Sequence, residues 1–299
     1  MIESTVFART SGGGNPCPIV FGAAVLRDEE MQVLAARFGH ETAFVLPSTR
    51  KGCVARLRFF VPRHEMEMCV HGTVAVGTWL WLTGQVKALR FRVETPQGPR
   101  SLRAWDSSEG LEVWVTLDQP TVRPEQPPVE AVAAALRVPS TELAPELPLE
   151  TLSVARPKTV VPFRHPEVVD RLRPDWETLW MLADRYGSTG FYPFAFVTEE
   201  PQPVVKARQF PTRAGFPEDP ATGVAAGALA AYLVRHGKIM PPRHGSRGLT
   251  VWQGDAMGQP SVLQVKVHRK TSGDLVFEVG GRAEIGAQRK VAVPPSGDA

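Results

Sequence analysis

Acids, a histidine and a cysteine, the side chains that most readily move protons, stand at two small-residue stretches of this 299-residue chain. The first is Gly215-Phe216-Pro217-Glu218-Asp219-Pro220-Ala221-Thr222-Gly223-Val224-Ala225-Ala226-Gly227. It reads as the start of a helix, with Asp219 or Thr222 able to cap the first turn and Pro220 suited to a first helical position. The helix continues through Leu229, Tyr232 and Leu233 and stops at Gly237, with Arg235 and His236 in its last turn. Such an opening presents bare backbone N–H groups to an anion, here with an acid at its lip. The second stretch, Cys69-Val70-His71-Gly72-Thr73-Val74-Ala75-Val76-Gly77-Thr78-Trp79-Leu80, follows the alternating run Arg56 to Val61 and also reads as strand, turn and helix start. Two such openings imply two similar halves that hold a small anionic substrate between them. Small residues also let buried helices pack closely; the acid, His and Cys at the openings favour a site.

The matching chemistry is removal of a proton next to a carboxylate or imine. Negative charge then builds on the substrate, and helix N-termini aimed at it stabilise it without a metal. Glu41, just before the predicted strand Thr42 to Leu46, is the candidate base, because a closed cleft raises a carboxyl pKa toward neutral. A Glu at the mouth of a strand is more often simply solvated. His71 can hydrogen-bond the substrate or relay a proton, or only cap its helix. Asp219 can orient the substrate, cap its helix, or do both. A Cys69 thiolate would gain from the helix dipole, although a small buried thiol can merely fill space. Gly72 and Gly223 are expected to offer N–H groups to the anion, with Thr73, Thr222 and Val224 beside them. A Val at either glycine is expected to block binding and leave the fold largely intact. Asn15 is a substrate contact or part of the turn chemistry of Ser11 to Pro16. Cys17 and Cys53 read as structural.

These residues must be positioned by ordinary elements. Ile2 to Phe7 and Cys17 to Val20 read as strands. Arg27 to Phe38 reads as an amphipathic helix capped by Asp28 and ended by Gly39. Phe91 to Glu94 and Leu111 to Leu117 read as further strands. Gln119 to Pro128 carries four prolines and reads as a linker, dividing the chain into halves 1–118 and 119–299. Beyond it come an Ala-rich helix (Val129 to Val138), a strand (Thr159 to Phe163) and a helix (Pro174 to Tyr186) closed by Gly187. Strands Phe194 to Thr198 and Val204 to Phe210 lead into the acid-rich stretch. Leu249 to Gly254, Ser261 to His268 and Leu275 to Gly280 make a strand-rich tail, and Val291 to Ala299 reads as frayed. Strict βαβ alternation is absent, which points to α+β rather than a doubly wound sheet.

Composition narrows the function classes. Hydrophobic residues are 43% and charged residues 22%, and the net charge is +3 with Lys and Arg scattered, which argues against nucleic-acid binding. No apolar run spans a bilayer. Three cysteines are too few for a disulfide framework and suggest reduced thiols in the cytoplasm. No dinucleotide fingerprint, phosphate loop or paired Cys/His spacing occurs, so no metal and no cofactor are expected.

Glu218-Asp219-Pro220-Ala221-Thr222-Gly223 with its Ala-rich helix resembles the hallmark of the phenazine-biosynthesis PhzF-like family. Cys69-x-His71-x-Thr73 is similar to that family's Cys/Ala-Gly-His-x-Thr motif. Gly14-Asn15-Pro16, Glu41 to Val45, and Gln253-Gly254 through Ser261 fall in the family order. The resemblance implies the diaminopimelate epimerase-like fold, two similar halves, each a curved and mostly antiparallel sheet around a central helix. It also implies a cofactor-independent isomerase or epimerase acting on a small amino or hydroxy acid in secondary metabolism, with Glu41 as acid/base assisted by His71 and Asp219. A homodimer is expected. Two-thiol racemases of the wider superfamily carry a second Cys where this chain has Thr222, a very poor acid/base near neutral pH. The chain departs from the pattern at Val70 (usually Gly), Gly72 (usually Ala or Pro), Val224 (usually Ser) and Gln259 (often Arg), which bears on the substrate. A lyase using the same deprotonation, or a small-acid binding protein without turnover, is compatible with these residues.

Overall fold

The structure is a computed structural model that describes residues 1–108 and 110–292. Most of the tail read as frayed, 293–299, lies outside the described residues. The architecture is α+β, with two similar halves. In the first half, Ile19–Val20 runs parallel to Thr42–Leu46, which is antiparallel to Arg56–Phe60. Arg56–Phe60 meets Arg90–Thr95 in parallel, and the antiparallel strands Gly98–Ser107 and Gly110–Thr116 follow. The second half repeats this order. Lys158–Pro162 is parallel to Gly190–Thr198, which is antiparallel to Val204–Ala207. Val204–Ala207 is parallel to Ser246–Gln253, and the antiparallel strands Ser261–Arg269 and Leu275–Gly281 complete the series. The parallel pairs fall where a helix carries the chain across, as they must, because a tight turn joins only antiparallel neighbours.

Two of those crossover helices form the centre. Val70–Leu82 buries every residue except Trp79, Trp81 and Leu82, and Gly223–Arg235 is buried from Gly223 through Leu233. Both are apolar all round, as a helix enclosed on every side requires. The first packs on Ile2–Val6, Thr42–Leu46, Gly110–Thr116 and Ala283–Gln288. The second packs on Glu150–Ser153, Lys158–Pro162, Ser261–Arg269 and Leu275–Gly281. The halves are stitched by two ladders: Leu275–Gly281 pairs with Gly110–Thr116, and Ala283–Gln288 pairs with Ile2–Val6. Among the described residues no helix is long and apolar enough to cross a membrane.

Several local expectations are corrected. The second central helix begins at Gly223, so Pro220 precedes it rather than opening it. Thr222 occupies the cap position without a side-chain cap bond, because its hydroxyl donates to Asp219 instead. Asp28 lies inside the Asp28–Phe38 helix; Arg27 takes the cap position, and its N–H is bound by the Glu30 carboxylate at 2.8 Å. The strand Gly98–Ser107 went unforeseen, since its charged and Pro/Gly positions hide the alternation. Thr121–Val122, within the expected linker, pairs with Leu152 and Ser153.

Glu218, the first acid of the motif, is structural. Arg208 donates to both its oxygens at 2.8 and 2.7 Å, and both side chains are buried. Arg208 also donates to the Val169 and Leu172 carbonyls at 3.1 and 2.9 Å. The pair thereby ties the loop before the second helix to the sheet's outer helical layer.

The two helix openings touch. A Cβ on Gly223 would lie 2.4 Å from Val70 Cγ1 and 2.5 Å from Val70 Cβ, so no rotamer of Val70 makes room. The expectation that Gly223 tolerates a larger residue is therefore overturned. Gly223→Ala should destabilise the protein by ~1–3 kcal/mol of overpacking, despite Ala's better helix propensity. Adding Val70→Gly should recover most of that loss in urea unfolding. Equal stability of Gly223→Ala and the native chain would contradict the contact.

Candidate active site

The contact between the helix openings brings the chemistry-bearing residues to one cavity. Glu41, Cys69, His71, Asp219, Thr222, Gly223 and Val224 all line it. Val70, His71, Gly223 and Val224 lie in first helical turns, where the helix supplies no carbonyl for their N–H groups. The cavity is therefore faced by two helix N-termini, one from each half.

Each side chain is held by its neighbours. The Cys69 thiol donates to Glu41 Oε2 at 3.1 Å, and His71 Nδ1 stands 3.4 Å from the same oxygen. Cys69 Sγ in turn accepts the Gly72 N–H at 3.3 Å, as a helix cap. On the other side Asn15 donates to Asp219 Oδ1 at 2.6 Å and to the Ala221 carbonyl at 3.0 Å. Its amide nitrogen also lies 3.4 Å from His71 Nδ1. Gln253 donates to the Asp219 carbonyl at 2.7 Å and to Thr222 Oγ1 at 3.1 Å, and its oxygen accepts from Tyr192 at 2.8 Å. Asn15, from the first half, thus locks the acid of the second half against the histidine of the first.

Burial sets the protonation states. It raises the Glu41 carboxyl above its ordinary value, and the Cys69 hydrogen bond partly offsets the rise. It raises Asp219 to about 6, with the Glu41 charge adding to the effect. It pushes His71 down to about 4, so the imidazole is neutral near pH 7. Burial and the Glu41 charge push the Cys69 thiol well up. Cys69 is thus a protonated donor to Glu41 rather than the thiolate a bare helix dipole suggests. A buried carboxylate with a raised pKa beside neutral donors is suited to taking and returning a proton.

Three expected contacts lie elsewhere. Gly72 faces inward, since a Cβ there would meet Cys69 Sγ at 3.1 Å and Phe59 at 3.3 Å, and its N–H is taken by Cys69. Thr73 is fully buried and donates its hydroxyl to the Cys69 carbonyl at 2.7 Å. Asn15 lines an adjoining cavity with Glu41 and Asp219. Glu41, Cys69 and His71 also place a carboxylate oxygen, a thiol and an imidazole nitrogen within 4.8 Å of one another. That is a zinc-type donor set which sequence spacing did not reveal. Zinc would need the thiol deprotonated, and burial opposes that.

Sequence reasoning missed Lys158, Thr189, Gln209 and Thr212, which line the cavity from the second half. The signal lay in the repeat. Glu41 immediately precedes the strand Thr42–Leu46, and Thr189 immediately precedes Gly190–Thr198, the strand in the same place of the second half's order. Lys158, 3% exposed, donates to the Thr189 carbonyl at 3.2 Å. Burial, then the nearby Arg156 charge, lowers its pKa to about 7.

That shift carries a stability prediction. Below about pH 7 the folded protein must bury an ammonium, and the full penalty applies. Between about 7 and the ordinary 10.5 the folded chain has shed a proton that the unfolded chain keeps, so stability rises with pH. Lys158→Met removes the group. The variant should melt above the native protein at about pH 6, with the gap closing as pH approaches 10. A variant that melts lower at pH 6 would contradict this electrostatic picture.

A sequence profile of the phenazine biosynthesis-like protein family, PhzC-PhzF, matches residues 4–289. A Deinococcus radiodurans protein named an uncharacterized isomerase is 32% identical over 289 residues, covering 95% of this chain and 91% of its own. The trans-2,3-dihydro-3-hydroxyanthranilate isomerase of Pseudomonas aeruginosa is 28% identical, covering 92% of each chain. Among solved structures, a Bacillus anthracis phenazine biosynthesis protein of the PhzF family superposes with a TM-score of 0.84 at 25% identity, covering 98% of each chain. A probable proline racemase from Agrobacterium radiobacter shares the fold at 13% identity, with a TM-score of 0.68 over 99% of this chain and 93% of its own. The match along nearly the whole chain, with the same two-half architecture, shows that this protein belongs to the PhzC-PhzF phenazine biosynthesis-like family of isomerases.

Proposed function

We propose that this isomerase moves a proton on a small amino or hydroxy acid, with Glu41 as the group that takes it from carbon and returns it. The observation that carries this reading is the Glu41 carboxylate itself. It is partly buried, with 14% of its side chain exposed, at a cavity faced by two helix N-termini, and it receives a hydrogen bond from a protonated thiol. The substrate carboxylate lies against the N–H groups of Gly223 and Val224, with those of Val70 and His71 across from them. Charge that develops on deprotonation is met there by fixed dipoles. Neutral His71 donates to or accepts from the substrate without adding charge. Asp219, held by Asn15 and Thr222, orients the substrate's amino or hydroxyl group.

The two halves favour a one-base reaction. Thr189 precedes its strand as Glu41 precedes Thr42–Leu46, and Thr222 holds the cap position of its helix as Cys69 does, so the second half repeats neither the carboxylate nor the thiol at these places. A single base that removes and redelivers the proton on one face shifts a double bond or its equivalent, an isomerisation. The Pseudomonas relatives named for a hydroxyanthranilate suggest a substrate from secondary metabolism. The three free cysteines fit a reducing compartment such as the cytoplasm.

Solvent deuterium exchange into a bound acid tests the base. Glu41→Gln keeps the shape and should still bind, while exchange falls by at least ~10²-fold, the lower bound for a well-placed acid/base. Cys69→Ala should be milder, because it removes only a hydrogen bond to that base. Near-native exchange in Glu41→Gln, or a greater loss in Cys69→Ala, would refute the assignment. Exchange should also survive extensive chelation and dialysis; loss that added zinc restores would assign the Glu41–Cys69–His71 cluster to a metal instead.

A further inference from the structure

One wall of the cavity has polar groups that the proton transfer does not use. Gln209 is 1% exposed, and neither the nitrogen nor the oxygen of its side-chain amide has a hydrogen-bond partner among the described residues. The Thr212 hydroxyl is buried and equally without a partner. Lys158 is buried with one hydrogen bond, to the Thr189 carbonyl, although an ammonium has three donors to place. All three side chains line the same cavity as Glu41 and Asp219. Arg156 lines it too, held by Glu67 at 3.0 Å.

An orphaned buried amide and an underpaired buried ammonium are both costly, and natural proteins rarely keep either without use. Packing alone does not explain them, since a leucine and a methionine would fill the same volume without the penalty. The groups are also matched in chemistry: a cation, a hydroxyl and an amide N–H belong to residues that line one cavity. Together they can surround a carboxylate, which accepts up to four hydrogen bonds. The helix N-termini already provide for one carboxylate elsewhere in the cavity.

We infer that the Lys158–Gln209–Thr212 wall binds a second carboxylate, and that the substrate is a small dicarboxylic acid. This rests on the proton-transfer reading for its first carboxylate and extends it to the substrate's far end. Lys158 supplies the charge, while Gln209 and Thr212 donate to the two oxygens and fix their plane. Lys158 then acts as a specificity residue, and its ammonium state is restored by the anion it meets. An acid with a methyl at that end would leave all three groups unpaired, which is the stronger source of discrimination.

Succinate and butyrate test this directly, because they differ only in a terminal carboxylate against a methyl. Calorimetric binding to the native protein should favour succinate by about tenfold or more, the value of one charge-assisted contact. Lys158→Met should abolish that preference and leave butyrate affinity within about twofold. Gln209→Glu, of nearly the same shape, should do the same by placing an anion against the succinate, and it decides the matter if Lys158→Met does not fold. Equal affinity of the native protein for the two acids overturns the inference. So does a parallel loss of both affinities in the variants, which would mark the wall as structural. No turnover enters this assay, so a missing preference leaves the Glu41 mechanism standing. Conversely, absent deuterium exchange leaves the succinate result standing.

Discussion

The contact between Gly223 and Val70 is the constraint on which the site depends. Each residue begins a long apolar helix enclosed by its own half of the sheet, and the absent Cβ of Gly223 lets the two openings meet. Only at that distance do Cys69, His71, Asp219 and Thr222 line one cavity. Separation by one side chain's width would leave two unremarkable helix starts, each solvated. The Arg208–Glu218 pair and Gln253 then fix the loop that delivers Asp219 to this junction.

Burial does most of the electrostatic work. Glu41, Asp219, His71, Cys69 and Lys158 lie within one poorly solvated region, and desolvation is the largest influence on every one of them. The acids are raised and the bases lowered, so burial favours the uncharged form of each. It also means the site costs stability, because each group would be better solvated outside.

The halves agree in backbone and differ in side chains. Strand order and crossover helices repeat, yet the second half has Thr189 before its strand where the first has Glu41, and Thr222 and Val224 at its helix start where the first has Cys69 and His71. The first half brings Glu41, Cys69 and His71 to the cavity, and the second brings Asp219, Lys158, Gln209 and Thr212. A duplicated scaffold sets two helix starts at one cavity, while the residues at those starts differ.

Much of this was legible in the residues. Local signals marked the openings of both central helices and the end of the second to within a few residues, because small residues, a Gly stop and basic last-turn residues act locally. The motif around Glu218 to Gly223, the Cys69-x-His71 pair and the segment from Glu41 marked the family, and with it the fold. What the chain order could not decide was direction and distance. Whether Glu218 or Asp219 turns inward depends on Arg208, ten residues away in sequence and just past the strand Val204–Ala207. That Gly72 and Thr73 point behind the wall, while Asn15 reaches across 204 residues to Asp219, follows from helix phase and sheet closure. Lys158, Gln209 and Thr212 carry no motif, and each is an ordinary residue in its own strand or loop. They become a group only when the second sheet curls around its helix, since burial and orphaned hydrogen bonds are properties of the closed cavity, not of the chain.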